Sequence, residues 1–182
     1  MNPRPCILFL SCLVLTCGIC LHAGARSAYT VGVYQSPKGF GLSGSVQRGP
    51  SDFHTLLVYA DITGLPFGKT GDLRTGFKAV YAHPQVLGHF DGRGGDALFY
   101  LGPGCSLGRV RDLGQHQFGF CGALCACAGF RMECRGRLRL DIGICAELGL
   151  RMLRKQGNTE ISLYRNGLLQ TVLPQIRFEY AF

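Results

Sequence analysis

Hydrophobic side chains fall on every second position over long stretches of this chain. Between residues 138 and 152 every even position is apolar: Leu138, Leu140, Ile142, Ile144, Ala146, Leu148, Leu150 and Met152. The odd positions carry Arg137, Arg139, Asp141, Gly143, Cys145, Glu147, Gly149 and Arg151. A period of two is that of a strand, because a helix would scatter the same residues around its circumference. The preceding segment repeats the pattern: Phe118, Phe120, Gly122, Leu124, Ala126, Ala128, Phe130 and Met132 share one face, and Gly119, Cys121, Ala123, Cys125, Cys127, Gly129, Arg131 and Glu133 the other. Such strands are about three times the usual globular length. Joined by a turn around Cys134-Arg135-Gly136, they make a hairpin roughly 50 Å long at 3.3 Å per residue.

The chemistry of the two faces sets the direction of burial. A soluble barrel turns its apolar face inward, whereas a membrane barrel turns it to lipid and keeps small or polar residues in the lumen. Here one face is bulky and apolar, and the other mixes glycine, cysteine and alanine with paired signs of charge. Small residues suit a narrow interior in which the side chains of eight strands must fit together. The pattern therefore predicts an all-β fold, an antiparallel up-and-down transmembrane β-barrel. Its strands are expected at 29–35, 39–48, 53–63, 74–83, 96–111, 116–133, 137–153 and 174–182, eight in all. Turn chemistry at 48–52, 64–68 and 91–95 separates them. The first pair is the least defined, since Ser36-Pro37-Lys38 also reads as a kink within one strand, which would leave seven. Loops near 64–73, 112–116 and 154–173 are expected to face outward.

The start of the chain is different. Arg4, an apolar run from Cys6 to Leu21 and then Ala23-Gly24-Ala25 have the order of a secretory signal. Residues 1–25 are read as a cleaved signal peptide and 26–182 as the barrel domain. The apolar run gives roughly 24 Å of helix, short of the roughly 30 Å hydrocarbon core. Acylation at Cys17 or Cys20 is disfavoured by Thr16 and Ile19 before them. The Cys17-Gly18-Ile19-Cys20 spacing would leave with the signal.

Composition agrees. The chain is 47% hydrophobic and 16% charged over 182 residues, with 27 glycines and no tryptophan, which excludes disorder. Removing residues 1–25 takes Arg4, leaving 18 basic and 11 acidic residues, a net charge of +7. The basic residues are spread along the chain without an aromatic-basic platform, so nucleic acid is not an expected partner. Contact with anionic lipid head groups is the simpler reading.

The chain closes with Ile176-Arg177-Phe178-Glu179-Tyr180-Ala181-Phe182. Here it resembles the small eight-stranded OmpA/OmpX-like outer-membrane β-barrel proteins of Gram-negative bacteria. The resemblance implies that Ile176, Phe178, Tyr180 and Phe182 form the signal read by the barrel-assembly machinery. It also implies residence in the outer membrane, with lipid as the main partner and a monomeric state. Two features depart from that family: six cysteines beyond residue 25, and no tryptophan for the aromatic girdles, which tyrosine and phenylalanine would have to fill.

Candidate chemistry centres on the inward face. Lumen charges are expected at Lys78, Arg131, Glu133, Arg137, Arg139, Asp141, Glu147, Arg151, Arg177 and Glu179. An ion-paired plug is the preferred reading over an anion-selective pore. A three-residue turn would set Cys125 opposite Cys145, and a five-residue turn Cys127 instead. One cross-strand disulfide, Cys125–Cys145 in the first register, is weighed against the preferred reading of the cysteines as small fillers. A zinc site built on Cys121, Cys125 and Cys127 lacks ligand spacing. The Gly39-Phe40-Gly41-Leu42-Ser43-Gly44 run matches a dinucleotide fingerprint in letters only, since no helix can follow it. Among His54, His83, His89 and His116 no triad appears by spacing. No cofactor or metal is expected. The function read from the sequence is a structural or cell-surface interaction role, not an enzymatic one. A lipid-modifying barrel enzyme using His54, with Ser51 nearby, and a soluble periplasmic ligand-binding barrel are the alternatives.

Overall fold

The computed structural model describes residues 28–47, 49–62, 75–92, 95–112, 117–134, 137–155, 158–165, 172 and 174–182. The signal-peptide reading of 1–25, His116, and most of the expected loops 64–73 and 112–116 lie outside these residues. Ten strands follow one another: β1 (Ala28–Ser36), β2 (Gly39–Gln47), β3 (Phe53–Asp61), β4 (Thr75–Ala82), β5 (Gln85–Gly92), β6 (Gly95–Asp112), β7 (Gln117–Glu133), β8 (Leu138–Lys155), β9 (Asn158–Arg165) and β10 (Gln175–Ala181). Every pairing is antiparallel. Strands β4 and β5 both pair with β6, and β9 and β10 both pair with β8. Each couple is therefore one interrupted stave. With β10 also paired to β1, the sheet closes on itself as eight staves. No helix among the described residues is long and apolar enough to cross a membrane.

Closure fixes the barrel's dimensions. Paired positions lead from Gly32 through Ser43, Leu57, Val80, Ser106 and Ala123 to Gly149 on β8. In the other direction they lead through Glu179 to Arg139, a stagger of 10 residues between 149 and 139 on the same strand. Eight staves with that stagger require a strand tilt of about 40° and an interior just wide enough for side chains to fill.

The direction of burial is the inverted one. Leu124 is 75% exposed and Leu107 69%, while Arg131 is 0% and Glu179 1%. Aromatic residues line the outside at both ends. Phe40, Phe77 and Phe120 are exposed where the barrel carries the connections after β1, β3 and β6; Phe90, Phe130, Tyr180 and Phe182 are exposed nearer the other end. These phenylalanines and tyrosines occupy the belts that tryptophan would otherwise share.

One expectation is resolved and two are revised. Ser36 pairs with Gly39 across a two-residue turn, so the first two expected strands form a hairpin and are not one kinked strand. The stave expected at 74–83 continues as β5 after a break at His83-Pro84. Proline cannot donate to a ladder, and a second proline, Pro103, sits beside the same break, accepting from His83 N at 2.9 Å. Because an antiparallel residue aims its N–H and C=O to the same side, the donor that Pro103 lacks faces the discontinuity. Finally, the described part of the loop expected at 154–173 is mostly strand, in line with the hint of alternation at Ile161, Leu163 and Tyr164. β8 runs on to Lys155 and β9 returns from Asn158 to Arg165. β9 leaves the ladder at Leu148 of β8 and β10 resumes it at Gly143, so the break between them falls within the last stave.

Candidate functional site

The lumen holds two polar clusters with three cysteines between them. The first lies toward the end that bears the chain termini. Strand alternation turns Arg131 of β7, Asp141 of β8, and Arg177 and Glu179 of β10 inward, and all four are buried. Arg131 Nε meets Asp141 Oδ2 at 3.2 Å, and its Nη2 lies 3.7 Å from Glu179 Oε2. Arg177 pairs with the same Asp141 oxygen. Glu179 Oε2 also accepts from Thr30 Oγ1 at 2.6 Å and from Ser45 Oγ at 2.9 Å. The Arg131 guanidinium stacks 3.9 Å from the Phe53 ring, a cation–π contact that suits a site shielded from water. Two arginines thus face two carboxylates, and the cluster is neutral.

Tyr100 joins this cluster because the next two strands beside it, β7 and β8, carry no side chains at its level. Its register partners are Gly129 and, one strand on, Gly143. A Cβ at either glycine would come within 2.5 and 2.6 Å of the Tyr100 hydroxyl. That hydroxyl donates to Asp141 Oδ1 at 2.7 Å and accepts from Arg177 Nη2 at 3.0 Å. The two glycines are the recess into which the ring lies.

The second cluster sits nearer the opposite end. Lys78 of β4 pairs with Glu147 of β8 and donates to Tyr164 Oη of β9 at 2.7 Å; that hydroxyl donates on to Glu147 at 2.9 Å. Lys38, from the β1–β2 turn, folds inward and donates from Nζ to the Cys145 carbonyl at 3.2 Å. Tyr34 and Tyr59 pack with ring centroids 4.9 Å apart.

Between the clusters lie Cys125, Cys127 and Cys145, whose sulfurs are within 4.8 Å of one another. Glu133 pairs with Arg139, so five residues form the turn. This is the longer of the two registers considered, and it places Cys127, not Cys125, opposite Cys145, with Sγ atoms 3.1 Å apart. Cys125 faces Glu147 instead. All three are thiols in this structure, not disulfide-bonded. A cavity of about 20 Å³ reaches Cys127, Tyr100, Asp141 and Arg177, room for a water molecule and not for an organic ligand.

Of the expected lumen charges, Lys78, Arg131, Asp141, Glu147, Arg177 and Glu179 are buried inside. Glu133 and Arg139 pair at 2.8 Å, with the Glu133 side chain 43% exposed. Arg151 is half-buried and donates to Ser162 at 3.1 Å. Arg137 is a correction: it lies just before β8, outside the sheet's alternation, and is exposed. Phe178, Tyr180 and Phe182 face outward, with Ile176 half-buried beside them. The sequence assigns Tyr100 and Tyr164 no role in the lumen, although alternation along β6 puts Tyr100 on the inward parity. Lys38 had no such signal, since a turn residue has no period.

No family model matches the chain, and no curated protein matches it. Among solved structures, the chain is similar to a major outer membrane protein from Thermus thermophilus. Identity is 16%, coverage is 87% of this chain and 100% of that one, and the TM-score is 0.49. It is also similar to Neisserial surface protein A (NspA), at 14% identity over 85% of this chain and 92% of that one, with a TM-score of 0.34.

Proposed function

We propose that this chain is an integral outer-membrane β-barrel of a Gram-negative bacterium. Its role would be structural or interactive at the cell surface, and its lumen a plug, not a pore. One observation carries the reading: bulky apolar side chains cover the outside of a closed barrel whose inside holds two networks of ion pairs. In water that arrangement would expose the apolar belt and desolvate the charges, losing on both counts. In a bilayer the belt meets lipid and the backbone is satisfied by closure. With the termini toward the periplasm, the connections after β3, β6 and β8 face the exterior. The outward tail residues Phe178, Tyr180 and Phe182 are then presented to the assembly machinery, and the barrel works as a monomer.

The test is fractionation of the expressed protein together with its behaviour on a detergent gel. Recovery in the outer membrane, and a band that shifts on boiling, are the expected results. Detergent-free purification as a soluble monomer would overturn the reading in favour of a periplasmic barrel. For the plug, reconstitution into planar bilayers is expected to give no steady conductance, whereas an anion-selective open level would restore the pore.

A further inference from the structure

Outside the lumen, four polar side chains meet where β3 begins and β4 breaks into β5. Phe53 is fully buried on the inward parity, so its neighbours Asp52 and His54 turn to the outer face. The Thr55–Ala82 pairing, carried one residue further, sets His54 against His83. The backbone is held on both sides. Asp52 bridges to Gln85, Phe53 N donates to Pro84 O at 3.1 Å, and Val86 N donates to Ser51 O at 2.8 Å. The two imidazole rings stack 4.3 Å apart at 14°. His83 Nε2 lies 3.0 Å from Asp52 Oδ2, and His54 Nδ1 is hydrogen-bonded to the Tyr81 hydroxyl at 2.8 Å. One ligand atom from each of Asp52, His54 and His83 lies within 4.8 Å of the other two.

We propose that Asp52, His54 and His83 bind a borderline divalent transition-metal ion of the zinc class, with Tyr81 orienting His54 from outside the coordination sphere. The donor set is chemically apt: two imidazoles and one carboxylate are a common three-ligand complement for zinc, leaving a fourth position to water. The spacing is close to what such an ion needs. Two donors placed tetrahedrally about 2.1 Å from a metal lie about 3.4 Å apart. The His83–Asp52 contact is already shorter than that, and the third donor lies within 4.8 Å of both. The Tyr81 hydroxyl on His54 Nδ1 stands where a metal-bound histidine hydrogen-bonds its outer-shell partner through the second ring nitrogen. The site also accounts for polar side chains on a face otherwise given to residues such as Leu42, Leu101 and Phe77. The ion would clip the start of β3 to the His83-Pro84 break, where the ladder is interrupted. This inference uses only the outer-face geometry and does not depend on the barrel's cellular location.

The experiment uses untagged, detergent-folded protein, freed of metal and titrated with Zn²⁺ against a chromophoric chelator. The wild type is expected to take up one more equivalent than either His83→Gln or Asp52→Asn, both of which leave the lumen cysteines in place. Tyr81→Phe should keep the stoichiometry while weakening affinity by about 10-fold. Co²⁺ provides a second readout, a visible ligand-field band present in the wild type and lost in both site variants. Folding of each variant is checked by the boiling-dependent gel shift. Equal Zn²⁺ uptake, or an unchanged Co²⁺ band, in wild type and folded variants overturns the proposal. Should one variant not fold, the other decides.

Discussion

Arg131 is enclosed by Asp141, Glu179 and the Phe53 ring, and its removal would leave two buried carboxylates sharing Arg177 alone. Breaking a buried ion network in this way costs about 3–5 kcal/mol. Arg131→Met should therefore lower the urea midpoint sharply, followed by far-UV circular dichroism because the chain has no tryptophan. A small midpoint change would mean that water reaches the cluster. At Gly143 the mechanism is steric. The new methyl of Gly143→Ala would lie 2.6 Å from the Tyr100 hydroxyl, an overpacking worth about 1–3 kcal/mol. Combining it with Tyr100→Phe removes the nearer clashing oxygen and leaves only the Ala128 carbonyl at 2.9 Å, so the double variant should lose less than the two single losses added together. Strict additivity in that cycle would show that the two positions do not meet.

At the scale of elements, the β7–β8 hairpin decides which thiols can join. Its five-residue turn sets Cys127 against Cys145 and sends Cys125 to Glu147. In an oxidising compartment the expected cross-link is Cys127–Cys145, with Cys125 left to alkylate. Peptide mapping of alkylated, non-reduced protein gives the answer, and complete alkylation of Cys145 would leave the cysteines as small fillers. The sequence could carry the hairpin no further than a choice of two registers. Both turn lengths keep the same residues facing inward, so the apolar pattern is equally satisfied by either. The interrupted staves show the opposite case. Asn158–Arg165 is a strand because it completes the ladder along β8; Ile161, Leu163 and Tyr164 hint in the sequence that part of this stretch extends the strands, but not where it starts or stops.

For the whole molecule, the outward apolar belt makes a further prediction. Leu42 lies halfway along β2 and is 58% exposed. Leu42→Arg should destabilise the barrel in lipid vesicles by about 2–4 kcal/mol if that position is near the bilayer centre. In a soluble barrel the same change on an exposed surface would be close to neutral. Comparing unfolding midpoints of the variant and wild type in vesicles separates the two, and a neutral result would count against lipid contact at β2.

Alternation by itself determined that the chain is built of antiparallel strands and which parity of each long strand faces inside. It also fixed that the bulky apolar residues belong outside, because a period of two assigns each side chain to a face before any partner is known. It therefore named Arg131, Asp141, Glu147, Arg177 and Glu179 as lumen charges. Only closure of the sheet decided which of them touch. The 10-residue stagger brings Arg177 and Glu179 of β10 against β7 and β8, and stagger is a property of the closed circuit, absent from any single strand. The same holds for Lys38 folding into the lumen, and for Asp52, His54 and His83. Lys38 lies in a turn, where periodicity carries no information about direction; Asp52, His54 and His83 meet across a broken stave, where alternation gives a face but only the pairing gives the neighbour.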